Sequence, residues 1–239
     1  MVILDCKNLA KSFGSLKAVN DLSFSVNEKE ILALVGPNGS GKTTAFNLLS
    51  KVLKPDSGTV TFAGLRIDGL PPHKICRLGL ARTFQVPIFF PTMTVYEQVL
   101  LGARFGGRDS GNSKEKVMSA LEFAGLTEKA HSPTHLLNLY SKKKLMVATA
   151  LATKPKLLML DEPLGGLNDQ EVSENLTLIR KLRESGVATM IIEHNIRAVF
   201  TLVDRAVVMN RGEKIAEGHP SEITKNAQVI SVYLGEGYM

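Results

Sequence analysis

A glycine-rich stretch, Gly-Pro-Asn-Gly-Ser-Gly-Lys-Thr at residues 36–43, matches the pattern GxxxxGK[ST]. It directly follows the apolar run ILALV and directly precedes a helical pattern, TTAFNLLSKVL, whereas a chance glycine turn would lack this context. Glycines allow backbone N–H groups to converge on phosphate oxygens, and the N-terminus of a helix favours anions. Lys42 is expected to reach the β- and γ-phosphates, and the Thr43 hydroxyl to ligate Mg²⁺. The stretch therefore predicts a nucleoside triphosphate site formed by Gly36, Pro37, Asn38, Gly39, Ser40, Gly41, Lys42, Thr43 and Thr44.

Two acids follow a second apolar run, LLML at residues 157–160. Such a run is typical of a strand buried on both faces, and open α/β sheets bind ligands at the C-terminal ends of their strands. Asp161 is expected to hold Mg²⁺, directly or through water, and Glu162 to orient and polarise the attacking water as a general base. An ordinary strand followed by an acidic helix cap has the same local pattern. Its combination with the glycine-rich stretch favours phosphate hydrolysis.

Two further polar residues come at the ends of predicted strands. Gln85 follows LARTF, and its amide could reach the metal and the water. His194 directly follows the strand predicted at residues 187–193 and could contact a γ-phosphate. A single glutamine or histidine is more often structural than catalytic, so both assignments depend on the two stretches above.

The elements that position these residues alternate along the chain. Helical patterns dominate from Leu70 to Leu151, where LARTF and the loop VPIFFPTM interrupt them, and they recur at residues 170–185 and 195–203. Residues 106–116, rich in glycine, serine and charge, are predicted to form a flexible loop within this helical region. The predicted strands are VILDCKNLAKSF, LSFSV, ILALV, GTVTFAG, LARTF, KLLML, VATMIIE and RAVVMN. Strands alternating with helices predict an α/β protein with a parallel sheet.

Composition narrows the class of protein. The 239 residues suffice for one large α/β domain or two small ones, and the net charge of +6 suits an anionic ligand, a nucleic acid or an anionic membrane face. Cys6 and Cys76 lie far apart and are interpreted as reduced thiols of a cytosolic protein. The N-terminus does not resemble a signal peptide, and no apolar run approaches the roughly 20 residues of a spanning helix. If the protein works at a membrane, another chain must span it.

The order of these motifs resembles that of the nucleotide-binding subunits of ATP-binding cassette (ABC) transporters. The resemblance extends over nearly the whole chain, through GPNGSGKTT, ARTFQ, LLMLDEP, GGLND and IIEHN. Within that family the chain looks like the ATPases of bacterial and archaeal branched-chain amino acid importers. That narrower resemblance is carried by ARTFQ ahead of MTVYEQVLLGA, by DEPLGGLN, by VDRAVVMNRGEKIAEGHPSEI and by the late VYLGEGY.

The resemblance implies a fold and a division of the chain. The fold is a P-loop NTPase cassette with a RecA-like mixed sheet core, an N-terminal antiparallel β subdomain and an inserted α-helical subdomain. Residues 1–239 would form a single ATPase domain. Residues 1–85 and 155–239 would supply the ATP-binding core with the β subdomain, and about residues 86–154 the helical subdomain.

The resemblance also implies a function and residue roles. The chain would bind and hydrolyse ATP with Mg²⁺, dimerise head to tail, and energise an importer for branched-chain or other hydrophobic amino acids. Phe13 would stack on the adenine, Gln85 would couple the metal site to the membrane partner, and His194 would act as the γ-phosphate switch. Asn168 would touch the opposite subunit. The implied partners are a second ATPase subunit, identical or different, two transmembrane permease subunits and, indirectly, a substrate-binding protein, at the cytoplasmic face of the membrane and without nucleic acid.

One stretch departs from the family pattern. The motif Leu-Ser-Gly-Gly-Gln or Leu-Ser-Tyr-Gly-Gln, which closes over the partner's ATP, falls here on Leu-Asn-Leu-Tyr-Ser at residues 137–141. Asn138, Tyr140 and Ser141 are thus the expected contacts across the dimer. Tyr140 would be costly where glycine takes a positive φ, and its ring could crowd the γ-phosphate. The following lysines, 142–144, are interpreted as a solvated face or as cations whose unfavourable placement at a helix start is offset by a nearby anion.

Three alternatives stay open. A degenerate ABC subunit would keep the fold and hydrolyse weakly because of residues 137–141. A soluble ABC ATPase acting on nucleic acid or ribosomes would tolerate the basic charge, but the chain has one cassette, no long coiled-coil insertion and no basic tail. A P-loop GTPase or kinase would leave His194 unexplained, and no Asn-Lys-x-Asp motif is present. If the chain is an importer ATPase, the apolar loop at residues 86–93 is the predicted docking surface for a membrane subunit.

Overall fold

The computed structural model describes residues 1–106 and 112–234. Its strands are β1 Val2–Phe13, β2 Leu16–Asn27, β3 Ile31–Val35, β4 Ser57–Phe62, β5 Leu65–Arg66, β6 Leu80–Arg82, β7 Leu157–Asp161, β8 Ala188–Ile192, β9 Arg205–Asn210 and β10 Glu213–Gly218. Its α-helices are α1 Lys42–Leu49, α2 Pro72–Leu78, α3 Val95–Phe105, α4 Ser113–Phe123, α5 Leu139–Leu151, α6 Asp169–Glu184, α7 Ile196–Phe200, α8 Pro220–Ile223 and α9 Ala227–Leu234.

The strands that precede the predicted site residues all belong to one mixed sheet. Its order is β10-β9-β3-β8-β7-β6, and all neighbours pair in parallel except β10, which is antiparallel to β9. Every residue of β3, β7 and β8 is buried, as their uninterrupted apolar runs predict. Along β3, Leu32 and Leu34 join one apolar cluster, and Ile31, Ala33 and Val35 join another. The sheet is therefore covered on both faces.

A second sheet is antiparallel and contains the N-terminus. Its order is β2-β1-β4-β5, and its inner face shares an apolar cluster with helix α1 and alternate residues of β3. The predicted strand LSFSV is part of a longer one, β2, whose partner β1 matches the predicted VILDCKNLAKSF. The two sheets together confirm the predicted α/β class with an antiparallel N-terminal part.

Helices α3, α4 and α5 form a cluster with its own apolar core, which includes Val99, Leu121 and Leu145. Thr94 and Glu97 form a capping box that starts α3. The predicted loop at residues 106–116 is wrong at its C-terminal end, because Asn112 caps α4 and Ser113 begins it; residues 107–111 lie outside the described part of the chain. The last residues of the family-like stretch VYLGEGY, from Gly235, also lie outside it.

Candidate functional site

The glycine-rich loop connects β3 to α1 at the C-terminal edge of the mixed sheet. Gly41 is the N-cap of α1 with φ 100°, and a Cβ there would lie 2.2 Å from the carbonyl oxygen of Ala18. At Gly36 a Cβ would lie 2.2 Å from the carbonyl oxygen of Met209. No other residue type fits these two positions without moving the backbone. Helix α1 has neither a side-chain cap nor an acidic residue in its first turn, so its positive end suits a bound anion.

Lys42 places a buried ammonium over this loop. Its Nζ donates to the carbonyl oxygens of Gly36 at 2.7 Å and Pro37 at 2.8 Å. Thr43 is exposed at the first turn of α1, and Thr44 is half-buried beside it. The nine residues predicted to bind phosphates therefore form one continuous cradle of loop and helix end.

Asp161, the last residue of β7, lies in a buried ion pair. Its Oδ2 accepts a hydrogen bond at 2.8 Å from Nη2 of Arg82, at the end of the adjacent strand β6. The same guanidinium donates to Asn47 Oδ1 at 2.6 Å and to Ser50 Oγ at 2.9 Å, which ties β6 to helix α1 and its C-terminal cap. Burial raises the pKa of Asp161, and the charge of Arg82 opposes this rise. Arg82 thus links Asp161, the predicted metal ligand, to the helix that follows the phosphate loop.

Gln85, Glu162 and His194 meet in a single hydrogen-bonded row. Nε2 of Gln85 donates to Oε2 of Glu162 at 2.8 Å, and Nε2 of His194 lies 2.8 Å from Oε1 of the same carboxylate. Glu162 itself has φ 47°, which is uncommon for a residue other than glycine. Its carboxylate is held by two side chains that follow β6 and β8, the strands on either side of β7.

Two residues that the sequence did not suggest support this row. Lys143, on α5, is buried, and its Nζ donates to the carbonyl oxygen of Glu162 at 2.6 Å. Glu193 is buried as well, and its Oε1 accepts from the N–H of Leu164 at 2.5 Å, while Oε2 accepts from that of His194 at 3.0 Å. Burial raises the pKa of Glu193, and its backbone hydrogen bonds oppose this. One carboxylate thus fixes the loops that follow β7 and β8 relative to each other.

The predicted adenine and dimer contacts lie outside this row. Phe13 ends β1 with half of its surface exposed, and the Nζ of Lys11 lies 5.7 Å from the centre of its ring. Asn168 caps helix α6, where its Oδ1 accepts a hydrogen bond from the N–H of Glu171 at 3.0 Å. The N–H of Asn168 donates in turn to Oε2 of Glu171. The side chains of Phe13 and Asn168 are exposed.

The backbone of residues 137–141 is not strained at Tyr140, the residue whose Cβ would be costly at a positive φ. Tyr140 is a helical residue in the first turn of α5 and has no positive φ. Its hydroxyl donates to Oε2 of Glu174 at 2.8 Å, and the Nζ of Lys144 lies 4.6 Å from its ring centre. Asn138 is the N-cap of α5, since its Oδ1 accepts from the N–H of Ser141 at 2.9 Å. Residues 137–141 therefore form a regular helix start capped by Asn138, in agreement with the helix start predicted at this point of the chain.

The donor atoms beside the phosphate loop suit Mg²⁺. Thr43 offers a hydroxyl, Asp161 a carboxylate and Gln85 an amide oxygen, and hard oxygen donors are the ligands this ion prefers. Over residues 1–106 and 112–234, no group of three or more His, Cys, Asp or Glu side chains could hold a metal ion. Mg²⁺ commonly binds one or two carboxylates together with substrate phosphates and water, which fits a position beside the phosphate loop.

An apolar surface lies next to Gln85. Val86, Ile88 and Phe90 expose 69%, 72% and 56% of their surface, whereas Phe89 packs against the helical cluster. A groove of about 310 Å³ adjoins them and is lined in part by Val52, Ile75, Phe84, Ile88, Phe89 and Met146. Among the helices that the structure describes, none has the length and apolar character to cross a membrane.

The comparisons with known proteins agree with this arrangement. The family model described as ABC transporter matches residues 19–165, and the one described as Branched-chain amino acid ATP-binding cassette transporter matches residues 213–238. The chain is 38% identical to the high-affinity branched-chain amino acid transport ATP-binding protein BraF of Pseudomonas aeruginosa, over 98% of both chains. It is 37% identical to LivG of Escherichia coli, also over 98% of both. The lipopolysaccharide export system ATP-binding protein LptB of Haemophilus influenzae is 34% identical over 100% of this chain and 99% of that one.

Solved structures show the same fold. A nucleotide-free ATP-binding cassette from an ABC transporter superimposes with a TM-score of 0.89 at 31% identity, covering 98% of this chain and 99% of that one. The ADP conformation of an ATP-binding cassette of an ABC transporter gives a TM-score of 0.89 at 32% identity, with the same coverage. The predicted cassette architecture is therefore confirmed.

Proposed function

The chain belongs to the ABC transporter family of ATPases, and on that basis we propose that it powers an importer for branched-chain or other hydrophobic amino acids. The observation that carries the catalytic part is the row formed by Gln85, Glu162 and His194 beside Asp161 and the phosphate loop. The similarity of the chain to BraF and LivG, over 98% of their length, supports the proposed class of transported solute.

Each residue of the site then has a part in hydrolysis. The loop at residues 36–44 would hold the ATP phosphates through backbone N–H groups and Lys42, with Phe13 stacked on the adenine. Bound Mg²⁺, ligated by Thr43 and Asp161, would neutralise charge on the phosphates. Glu162 would accept a proton from the attacking water, and Gln85 would orient that water.

His194 has two partners in this scheme. Its Nε2 lies 2.8 Å from Oε1 of Glu162. A γ-phosphate in the loop offers the ring a more highly charged acceptor, and charge-assisted hydrogen bonds are the stronger ones. When the ring turns to that phosphate, Oε1 is released to accept a proton from water. Exchange of this hydrogen bond would let the site distinguish ATP from an empty loop.

The proposed transporter contains further subunits. A second ATPase subunit would close over the bound ATP through Asn138, Tyr140 and Asn168, which lie at or beside the starts of α5 and α6. Ser141, also predicted to make this contact, is buried, and its Oγ accepts a hydrogen bond from Lys129 at 2.9 Å. Two permease subunits would dock on the apolar surface of Val86, Ile88 and Phe90, and a substrate-binding protein would deliver the amino acid to them. The chain would then lie at the cytoplasmic face of the membrane as a peripheral subunit.

Reconstitution tests this proposal directly. The chain is co-purified with the permease subunits encoded beside it, inserted into vesicles with ATP on its side, and supplied with the binding protein and labelled leucine, isoleucine or valine. We expect ATP-dependent uptake that Glu162→Gln abolishes. Assembled vesicles that hydrolyse ATP and accumulate none of the three amino acids would contradict the importer assignment.

A second candidate rests on the 34% identity to LptB over the full chain. An export ATPase would use the same hydrolytic site and differ only in the permeases that dock on it. Stimulation of ATP hydrolysis separates the two. Binding protein loaded with a branched-chain amino acid should stimulate the importer, and lipopolysaccharide should stimulate the exporter.

A further inference from the structure

Lys143 is the middle residue of the run Lys142-Lys143-Lys144 and the one that the fold buries. It exposes 5% of its surface, and its Nζ donates at 2.6 Å to the carbonyl oxygen of Glu162. The residues one and two turns later on the same helical face, Val147 and Ala150, are apolar and buried as well. Lys143 is therefore part of the packed face of α5, in contrast to the solvated face that was one of the two interpretations of residues 142–144.

The group that Lys143 contacts is in an unfavourable conformation. Glu162 has φ 47°, a region that is sterically costly for a residue with a Cβ. Its N–H donates to the carbonyl oxygen of Ile192 at 2.9 Å. Its own carbonyl oxygen accepts from Lys143 at 2.6 Å and, at the longer distance of 3.3 Å, from the N–H of Gly165. The peptide groups on both sides of this strained residue are thus fixed, one by strand β8 and the other by helix α5.

Three acids surround the buried ammonium of Lys143. Burial lowers the pKa of Lys143, whereas the carboxylates of Glu193, Glu162 and Asp161 raise it. A buried cation among three acids is stabilised by them and in turn limits their mutual repulsion. Its hydrogen bond goes to a backbone oxygen, so it leaves both carboxylate oxygens of Glu162 to Gln85 and His194.

We propose that Lys143 is a positioning residue: it holds the left-handed backbone of Glu162 and so aims the carboxylate at the γ-phosphate side of the site. The inference rests on the proposed role of Glu162 as general base. It also links two regions, because α5 begins at the cap Asn138, in the stretch expected to contact the partner subunit. A displacement of α5 on dimer closure would reach the Glu162 backbone through this one side chain.

Steady-state kinetics of the purified chain test the inference. Lys143→Met keeps the apolar stem and removes the donor, and Lys143→Arg keeps a cation with donors. We expect Lys143→Met to lower kcat by about 10- to 100-fold with little change in the KM for Mg-ATP, because a small misplacement of a catalytic group can cost about 10². Lys143→Arg should recover part of that loss. Lys142→Met, on the adjacent half-buried position, serves as the matched control and should leave kcat unchanged.

A double variant shows whether the effect passes through Glu162. In a Glu162→Gln background, Lys143→Met should cause no further loss of kcat, since residues that act as a unit are not additive. An equal loss in both backgrounds would assign Lys143 a general structural role and overturn the inference. So would failure of both Lys143→Met and Lys143→Gln to fold, or full activity of Lys143→Met. Undiminished hydrolysis by Glu162→Gln alone would instead refute the proposed general base.

Discussion

Nε2 of His194 lies 2.8 Å from Oε1 of Glu162, although 32 residues separate them in the chain. The parallel register of β7 and β8 explains this proximity, because Asp161 is opposite Ile192. The residues that follow each strand therefore leave the sheet side by side. Gln85 reaches the same carboxylate from beyond β6, the next strand of the sheet.

The first prediction concerns the carboxylate at the centre of this row. Glu162→Gln keeps the size and the hydrogen-bonding capacity of the side chain and removes its basicity. We expect ATP binding to persist and turnover to fall by roughly 10²–10⁴-fold, as for other general bases. The variant should also form a longer-lived ATP-bound dimer, visible by gel filtration. Glu184→Gln, at an exposed position on α6, is a suitable control and should hydrolyse ATP normally.

The second prediction concerns Lys42, whose ammonium is already oriented over the loop by two backbone carbonyls. Lys42→Ala should weaken ATP binding by about 10- to 100-fold, because hydrogen bonds to charged groups contribute about 1.5–3 kcal/mol. Nucleotide titration of the folded variant measures this. Lys54→Ala removes an exposed lysine a few residues after the end of helix α1, and this variant should bind ATP as before. Equal affinity of both variants would contradict the phosphate-binding role of the loop.

The third prediction concerns the buried pair of Arg82 and Asp161, with exposed side-chain fractions of 8% and 5%. Arg82→Met leaves the carboxylate buried without its cation, which should lower the free energy of unfolding by about 3–5 kcal/mol. Adding Asp161→Asn to that variant should restore part of the loss, since the unpaired charge is removed. Arg77→Met, at an exposed site on α2, should change stability little. Denaturant titration of wild type, the single variants Arg82→Met and Asp161→Asn, and the double variant completes a double-mutant cycle. Simple additivity in this cycle would show that the two residues do not interact.

The fourth prediction concerns the apolar surface at residues 86–90. Phe90→Asp and Ile88→Asp should prevent assembly with the permease subunits and spare basal ATP hydrolysis, because both side chains are exposed in the isolated chain. Phe89→Asp should instead destabilise the chain, since Phe89 packs on the helical core. Leu65→Asp, an equally apolar exposed position on β5, should assemble normally. Intact complexes with both Phe90→Asp and Ile88→Asp would exclude this docking surface.

Much of the fold was predictable because its central strands are buried on both faces. Uninterrupted apolar runs at β3, β7 and β8 identify such strands without any tertiary information. Strand β10, EKIAEG, gave no such signal, since it is an edge strand with half-buried or exposed residues. Helix α4 begins earlier than its polar sequence suggested because Asn112 caps it.

The site was predictable where it depends on strand ends and not where it depends on long-range packing. Asp161, Glu162 and His194 follow apolar runs, and adjacent parallel strands bring such ends together. The partners of Arg82, by contrast, lie 35 and 79 residues away, and no local pattern encodes them. Lys143 carried a signal in its spacing to Val147 and Ala150, which marks the buried face of α5, but the three consecutive lysines obscured it.

The last prediction concerns the start of α5, where the chain departs from its family. Tyr140 is helical and bonded to Glu174, so its cost lies in the bulk that it places beside the expected trans contact, and not in backbone strain. Asn138→Ser with Tyr140→Gly should raise steady-state ATP hydrolysis by about tenfold or more, because one preorganised donor to a charged transition state can be worth 10²–10³. Serine caps a helix as well as asparagine does, whereas glycine costs about 1 kcal/mol, so the melting temperature should fall by about 2–4 °C. Tyr140→Phe isolates the bond to Glu174 and should lower stability without a gain in turnover. If the double variant folds and is no faster, the native start of α5 already makes its contact, and the Nδ2 donor of Asn138, whose Oδ1 caps the helix, becomes the expected source of it.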